Sequence, residues 1–163
     1  MADGMKRMCS LDTERVLSVL NRISILAGLS DEQLRSLFRL LQEEVYEAGE
    51  TIFEQGSQPS HIYVVLLGKI KLVVDKDTTP LELIVLETGV CFGESSVIGI
   101  QPHSATAIAV ERTELIVLSR IALLSLYKTD LELYSILVWN IAREVCRRLH
   151  ASEQIMLHYV HRK

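Results

Sequence analysis

Phe92-Gly93-Glu94-Ser95-Ser96-Val97-Ile98-Gly99-Ile100-Gln101-Pro102-His103-Ser104-Ala105-Thr106 opens on a glycine and a carboxylate, passes through a short apolar turn and closes into a β-prone segment. A turn of this kind can aim several backbone N–H groups inward, and such a nest binds anions. The Glu94 carboxylate at one end is suited to accept hydrogen bonds from sugar hydroxyls. A cation at the other end would complete a cradle for a sugar phosphate. Plainer readings stand beside these. Gly93 and Gly99 fit positive-φ turn positions where only glycine is comfortable, and Glu94 fits a cap on the turn.

Outward from this stretch the texture is β-rich. Short segments at Thr51–Phe53, Ile62–Leu66, Ile70–Val74, Leu81–Leu86, Ala105–Val110 and Leu115–Leu118 alternate with glycines at 49, 56, 68, 89, 93 and 99. Many short strands with frequent turn signals predict a sandwich, roll or barrel, and the lack of intervening helices argues against βαβ units. Helical patterns lie on both sides. Val16, Leu17, Leu20 and Ile23 mark a helix over Asp12–Leu26. Ser30 and Gln33 form a capping box, with Leu29 and Leu34 at the hydrophobic-staple positions. Leu34, Leu37, Phe38 and Leu41 continue that helix's buried face. After Ser119, Leu133, Leu137, Ile141, Val145 and Leu149 step by four, beside a second row of Tyr134, Val138, Ala142 and Cys146. Together they predict one long helix with a broad apolar face. Either a partner helix in a symmetric dimer or the chain's own strands would cover that face. Glu144 and Arg148 read as a favourable i,i+4 pair on its far side, and Arg143, Arg147 and Arg148 as a small basic group that a solvated face explains as well as a partner does. The expected organisation is a single domain over residues 1–163: helical over 11–42, strands over 45–118 and helices over 119–157.

The quoted stretch resembles the phosphate-binding cassette of cyclic-nucleotide-binding domains, whose pattern runs F-G-E, seven residues, then P-R-A/S-A-T. Phe92-Gly93-Glu94 and Pro102 to Thr106 fit that frame without insertion or deletion. Gly49-Glu50-Thr51-Ile52-Phe53 with Gly56, and Ile62-Tyr63-Val64-Val65 with Gly68-Lys69-Ile70-Lys71-Leu72, resemble the strands that precede it. The resemblance spans about Ile25 to Leu149. It implies a mainly β fold with flanking helices, a double-stranded β-helix or jelly-roll β-roll ending in a long C-terminal helix. It also implies a non-enzymatic regulatory sensor for cyclic nucleotides. By the same resemblance Glu94 would bind the ribose 2′-hydroxyl, with the backbone amides of Gly93, Ser96 and Ser104 approaching ribose and phosphate. The implied ligand-binding set is Gly93, Glu94, Ser95, Ser96, His103, Ser104, Ala105 and Thr106.

His103 is the important departure, because the family places an arginine there. Arginine is always charged and grips an oxyanion with two donors. Histidine is shorter and mostly neutral at pH 7. The lost charge-assisted hydrogen bond is worth roughly 1.5–3 kcal/mol. Three readings follow: a weak phosphate ligand that takes up a proton when an anion binds, part of a site retuned for another anion, or the rim of a pocket without a ligand. Ser95 also departs, standing where relatives usually have an apolar residue that meets the C-terminal helix. Ser60 replaces a common aspartate in a turn. Cyclic AMP or cyclic GMP is therefore expected as a weak ligand, or the site is degenerate or retuned. The alternative is a ligandless structural or protein-interaction module that kept the fold.

The bulk properties exclude other classes. A formal net charge of −4 does not suit a phosphate backbone. The three cysteines, Cys9, Cys91 and Cys146, are spaced for neither disulfides nor zinc. His61 and His103 stand apart without an H-x-H pair, so a cupin-type metal site is not expected, and the spacing gives no support to haem ligation. His158 and His161 belong to a solvated terminus. There is no nucleophile–base constellation and no Walker loop. No leader or membrane-spanning run is evident, which places the chain in the cytoplasm by default. With the sequence ending at Lys163, no recognition helix is expected, and hence no direct DNA binding. The expected output is a homodimer through the C-terminal helix, or another protein not identified by the sequence.

Overall fold

A computed structural model describes Val19 and residues 22–160. His61–Leu67 and Thr113–Ser119 carry almost unbroken apolar runs because both faces of these strands are used. Strand side chains alternate between faces. Ile62, Val64 and Leu66 of the first run, with Ile116 and Leu118 of the second, point to a core shared with the helices. Tyr63 and Val65, with Leu115 and Val117, point to a second core between two sheets.

The described residues form eight strands: β1 (Leu41–Tyr46), β2 (Thr51–Phe53), β3 (His61–Leu67), β4 (Ile70–Val74), β5 (Leu81–Leu86), β6 (Cys91–Phe92), β7 (Thr106–Ala109) and β8 (Thr113–Ser119). They make two four-stranded sheets, ordered β1-β8-β3-β6 and β2-β7-β4-β5, with antiparallel pairing throughout. This is the expected β-roll. The helices that accompany it among the described residues include α1 (Asp31–Phe38), α2 (Glu94–Gly99), α3 (Arg120–Thr129) and α4 (Leu131–Val160).

Several expectations are refined. The helix anticipated over Asp12–Leu26 lies largely outside the described residues; its last part is a 3-10 turn at Ser24–Leu26. The Ser30–Gln33 capping box is present. The helix it starts ends at Phe38, so Leu41 opens β1 instead of continuing the helical face. Two strands that the composition did not mark, β1 and the two-residue β6, complete the first sheet. In β5 only Leu86 is buried, and Leu81, Leu83, Ile84 and Val85 are exposed because β5 is the edge of its sheet.

Ser119 caps α3 by accepting from the Ala122 amide, and Asp130 caps α4 by accepting from Leu133. These caps satisfy amides that helix geometry leaves without partners. Leu133, Leu137 and Ile141 of α4 are buried in the helix-side core of their own chain. The Asn140 amide donates to the carbonyls of Ile25 and Ala27, fixing α4 to the 3-10 turn. Of the two coverings open to the Leu133–Leu149 row, the chain's own core takes its first part. Its first three residues pack on the roll, Val145 is half-buried, and only Leu149, at 58% exposure, faces outward.

Candidate ligand-binding site

The turn after β6 is forced at Gly93, which has φ +79° and caps α2. The left-handed conformation favours glycine, and a Cβ there would crowd its neighbours, lying 3.1 Å from the His61 carbonyl and 3.2 Å from the Tyr63 ring. Gly99 is not the second left-handed residue; that position is Ile100, with φ 52°. An L residue held in this region carries strain that its surroundings must hold in place, and the Gln101 amide secures it by donating to the Ser96 carbonyl.

α2 and the segment before β7 enclose a cavity of about 60 Å³ lined by Gly93, Glu94, Ser95, Ser96, His103, Ser104 and Ala105. Seven of the eight expected site residues therefore meet at one place. Thr106 is the exception: its hydroxyl accepts from the Gln55 amide and lines a separate polar groove. Phe53, Leu72, Phe92 and Arg148 complete the cavity wall.

Arg148 and Phe53 were not anticipated as site residues. Arg148 projects from α4, and its Nη1 donates to Glu94 Oε1 at 2.8 Å. Its Nη2 donates to the Cys91 carbonyl, and its Nε donates to Glu144 Oε1 at 3.2 Å. Glu144 in turn accepts from Ser24 and from Arg147. The i,i+4 pair is thus real, but it is not a solvent-facing one, because Glu144 is buried. The reading of Arg148 as part of a solvated face is corrected for the same reason. It is the central link of a network joining the 3-10 turn, α4 and α2.

Glu94 is 2% exposed, and its Oε2 is buried without a hydrogen-bond partner. Burial raises its pKa above the usual carboxylate range, and the Arg148 charge offsets this only in part. At Glu144 burial also pushes upward, but the hydrogen bonds from Ser24 and Arg147 and the Arg148 charge outweigh it, so its pKa is lowered. Burial pushes the neighbouring Cys91 thiol well up, so Cys91 stays a neutral thiol.

His103 is 4% exposed and lies flat on Phe53, with centroids 3.7 Å apart and planes 10° apart. Its backbone is held at both polar atoms, the amide by the Ser57 carbonyl and the carbonyl by the Gly56 amide. It lines the cavity and does not sit at its rim. Burial lowers its pKa, which opposes the proton uptake that anion binding would demand. A sign follows for stability. The unfolded chain titrates this imidazole near about 6.5, and the folded chain titrates it lower. Between those values the unfolded state binds more protons, so the contribution is full above the unfolded pKa and is lost as pH falls through the folded one. Melting temperature is expected to drop as pH is lowered from 7.5 to 5. His103→Phe, which keeps a ring against Phe53, should flatten that slope relative to the parent. Parallel slopes in the two proteins would remove His103 from the acid response.

The match to known proteins agrees with this geometry. The family model for the cyclic nucleotide-binding domain fits residues 43–130.

The chain belongs to the cyclic nucleotide-binding domain family.

It is 32% identical to the cyclic AMP receptor protein of Thermus thermophilus over 127 residues, covering 77% of the chain and 57% of that protein. It is 28% identical to the cGMP-dependent protein kinase egl-4 of Caenorhabditis elegans over 108 residues, covering 65% of the chain and 13% of the kinase. The chain thus spans a little over half of one relative and a small part of the other. Among solved structures, the catabolite activator protein of Thermus thermophilus superposes with a TM-score of 0.73 at 29% identity, covering 84% of this chain and 63% of that one. A cyclic nucleotide-binding domain from Methylobacillus flagellatus KT reaches 0.79 at 23% identity, covering 90% and 83%, and attests the fold. Among the described residues, no helix is long and apolar enough to cross a membrane, and no group of three or more His, Cys, Asp or Glu is placed to hold a metal ion.

Proposed function

We propose that this domain is a non-enzymatic sensor of a cyclic nucleotide, with a retuned phosphate end, which reports ligand state through α4. The observation that carries the reading is Glu94 Oε2. A buried carboxylate oxygen without a hydrogen-bond donor is costly, and it belongs to Glu94, a residue of the cavity wall formed by the cassette, so a change that opens this carboxylate to a ligand would relieve that cost. A ribose hydroxyl is a donor of the right kind for it. The Thermus relative is a receptor for cyclic AMP and the nematode relative a cGMP-dependent kinase, which supports cyclic mononucleotides as the ligand class.

A volume of about 60 Å³ is well below the roughly 300–1,000 Å³ of typical small-molecule pockets. In this reading ligand entry widens the cavity, and one of its walls is Arg148 on α4. The same event would then shift α4 relative to α2, and by linkage the position of α4 would set affinity. The outward residues of distal α4, Leu149, Ile155, Met156 and Leu157, offer a homodimer seam or a surface for a downstream protein. The competing reading, an interaction module without a ligand, draws its support from His103.

The test is thermal unfolding with a panel of cyclic mono- and dinucleotides. A ligand bound only by the native state at a hundred times its Kd adds about 2.7 kcal/mol, so a cognate cyclic mononucleotide should raise the melting temperature by several degrees. A panel that leaves it unmoved at millimolar concentration favours the interaction module.

A further inference from the structure

We infer that Arg148 is the anion-binding cation of this pocket, supplied from α4 in place of the cassette cation absent at His103. The inference rests on the sensor reading above and assigns the ligand's phosphate to a named group.

The first argument is placement. Among the described residues Arg148 is the one cation lining the cavity, and it shares that small space with Ser96, Ser104 and Ala105 of the cassette. An anion admitted there meets the guanidinium.

The second argument is valence. A guanidinium carries five N–H groups. One on Nε goes to Glu144, one on Nη1 to Glu94 and one on Nη2 to the Cys91 carbonyl. One N–H on each terminal nitrogen is left without a partner among the described residues, and the side chain is 35% exposed. Arg148 can therefore donate to a phosphate while still holding Glu94 Oε1.

The third argument is charge. Glu94 and Glu144 are both buried, and an anion brought beside them is repelled unless a cation stands between. His103 is buried against Phe53 in an environment that disfavours its charged form, whereas arginine remains charged at any ordinary pH. The two carboxylates fix the guanidinium's position before a ligand arrives, so little side-chain entropy remains to be lost on binding. A ligand recognised this way couples its phosphate directly to α4.

The experiment compares cyclic AMP with adenosine, which has the ribose hydroxyl and the base but no phosphate, in equilibrium titrations of the parent, Arg148→Gln, His103→Arg and the double variant. Arg148→Gln is expected to weaken cyclic AMP by tenfold or more and adenosine by clearly less. Adding His103→Arg to it should recover most of the cyclic AMP loss, because the positive charge returns to the same anion from the other wall. Equal losses for the two ligands would show that Arg148 only positions Glu94. Unchanged or tighter cyclic AMP binding would show that it merely competes for Glu94. Either result overturns the proposal and leaves the sensor reading standing. If neither the parent nor His103→Arg binds cyclic AMP or cyclic GMP, the sensor reading falls and this one with it. Should Arg148→Gln fail to fold, Arg148→Lys carries the same comparison. The compact ammonium keeps the charge but loses the fork, so cyclic AMP should weaken more than adenosine, and equal losses again overturn the proposal.

Discussion

Leu137→Asp is expected to unfold the domain at room temperature, and Leu149→Asp to leave it folded. Leu137 is 0% exposed and sits among Ile25, Leu26, Leu37, Ile62 and Leu118. Truncating a buried leucine to alanine already costs about 2–5 kcal/mol. Aspartate adds a carboxylate with no partner, and an uncompensated buried ion costs several kcal/mol more. The sum rivals the whole stability of a typical domain, about 5–15 kcal/mol. Leu149 lies on the same row but at 58% exposure, so a charge there stays hydrated. If distal α4 forms the homodimer seam, Leu149→Asp should halve the mass seen by sedimentation at micromolar concentration while the melting curve remains cooperative. A cooperative, native-like Leu137→Asp protein would contradict the packing of α4 on the roll. A parent protein that is already monomeric would direct the exposed row to another partner.

His103→Arg is expected to strengthen cyclic AMP or cyclic GMP binding by about ten- to a hundredfold, the size of one charge-assisted hydrogen bond. The backbone that would carry the new side chain is already fixed by Gly56 and Ser57. A guanidinium can also keep the stacking on Phe53 that the imidazole makes. Adding Glu94→Ala should abolish the gain, because it removes the acceptor for the ribose hydroxyl. The same change strands Arg148 without its Glu94 partner, so folding of the double variant is checked by its melting transition before titration. A His103→Arg protein that folds normally and gains no affinity would show that something other than the missing charge closes the pocket, and the interaction-module reading would replace the sensor reading.

Much of the architecture is written in local pattern, and local pattern is short-ranged. The short β-prone runs of β3 and β8, the glycine turns and the Ser30–Gln33 box each act within a few residues. They point to a sandwich, roll or barrel with flanking helices before any long-range contact is known, and the resemblance of the cassette and its preceding strands narrows this to a β-roll. The cassette frame from Phe92 to Thr106 is likewise contiguous, which is why seven of its expected residues do meet at one cavity.

What the tertiary structure alone decided involves partners far apart in the chain. Helical periodicity marks α4 as having an apolar face but says nothing of what covers it. The fold assigns Leu133, Leu137 and Ile141 to the chain's own core and leaves Leu149 outside. Arg148 and Glu94 are separated by 54 positions, and no spacing rule pairs them. Packing α4 beside α2 turns an apparent surface arginine into a wall of the site. His103 reads as a weak cation by residue type, yet its place under Phe53 makes it a buried neutral ring. Side-chain identity sets what each group can do; burial and the neighbours brought by the fold decide which of those things it does, because they determine whether its charge is solvated, paired or suppressed.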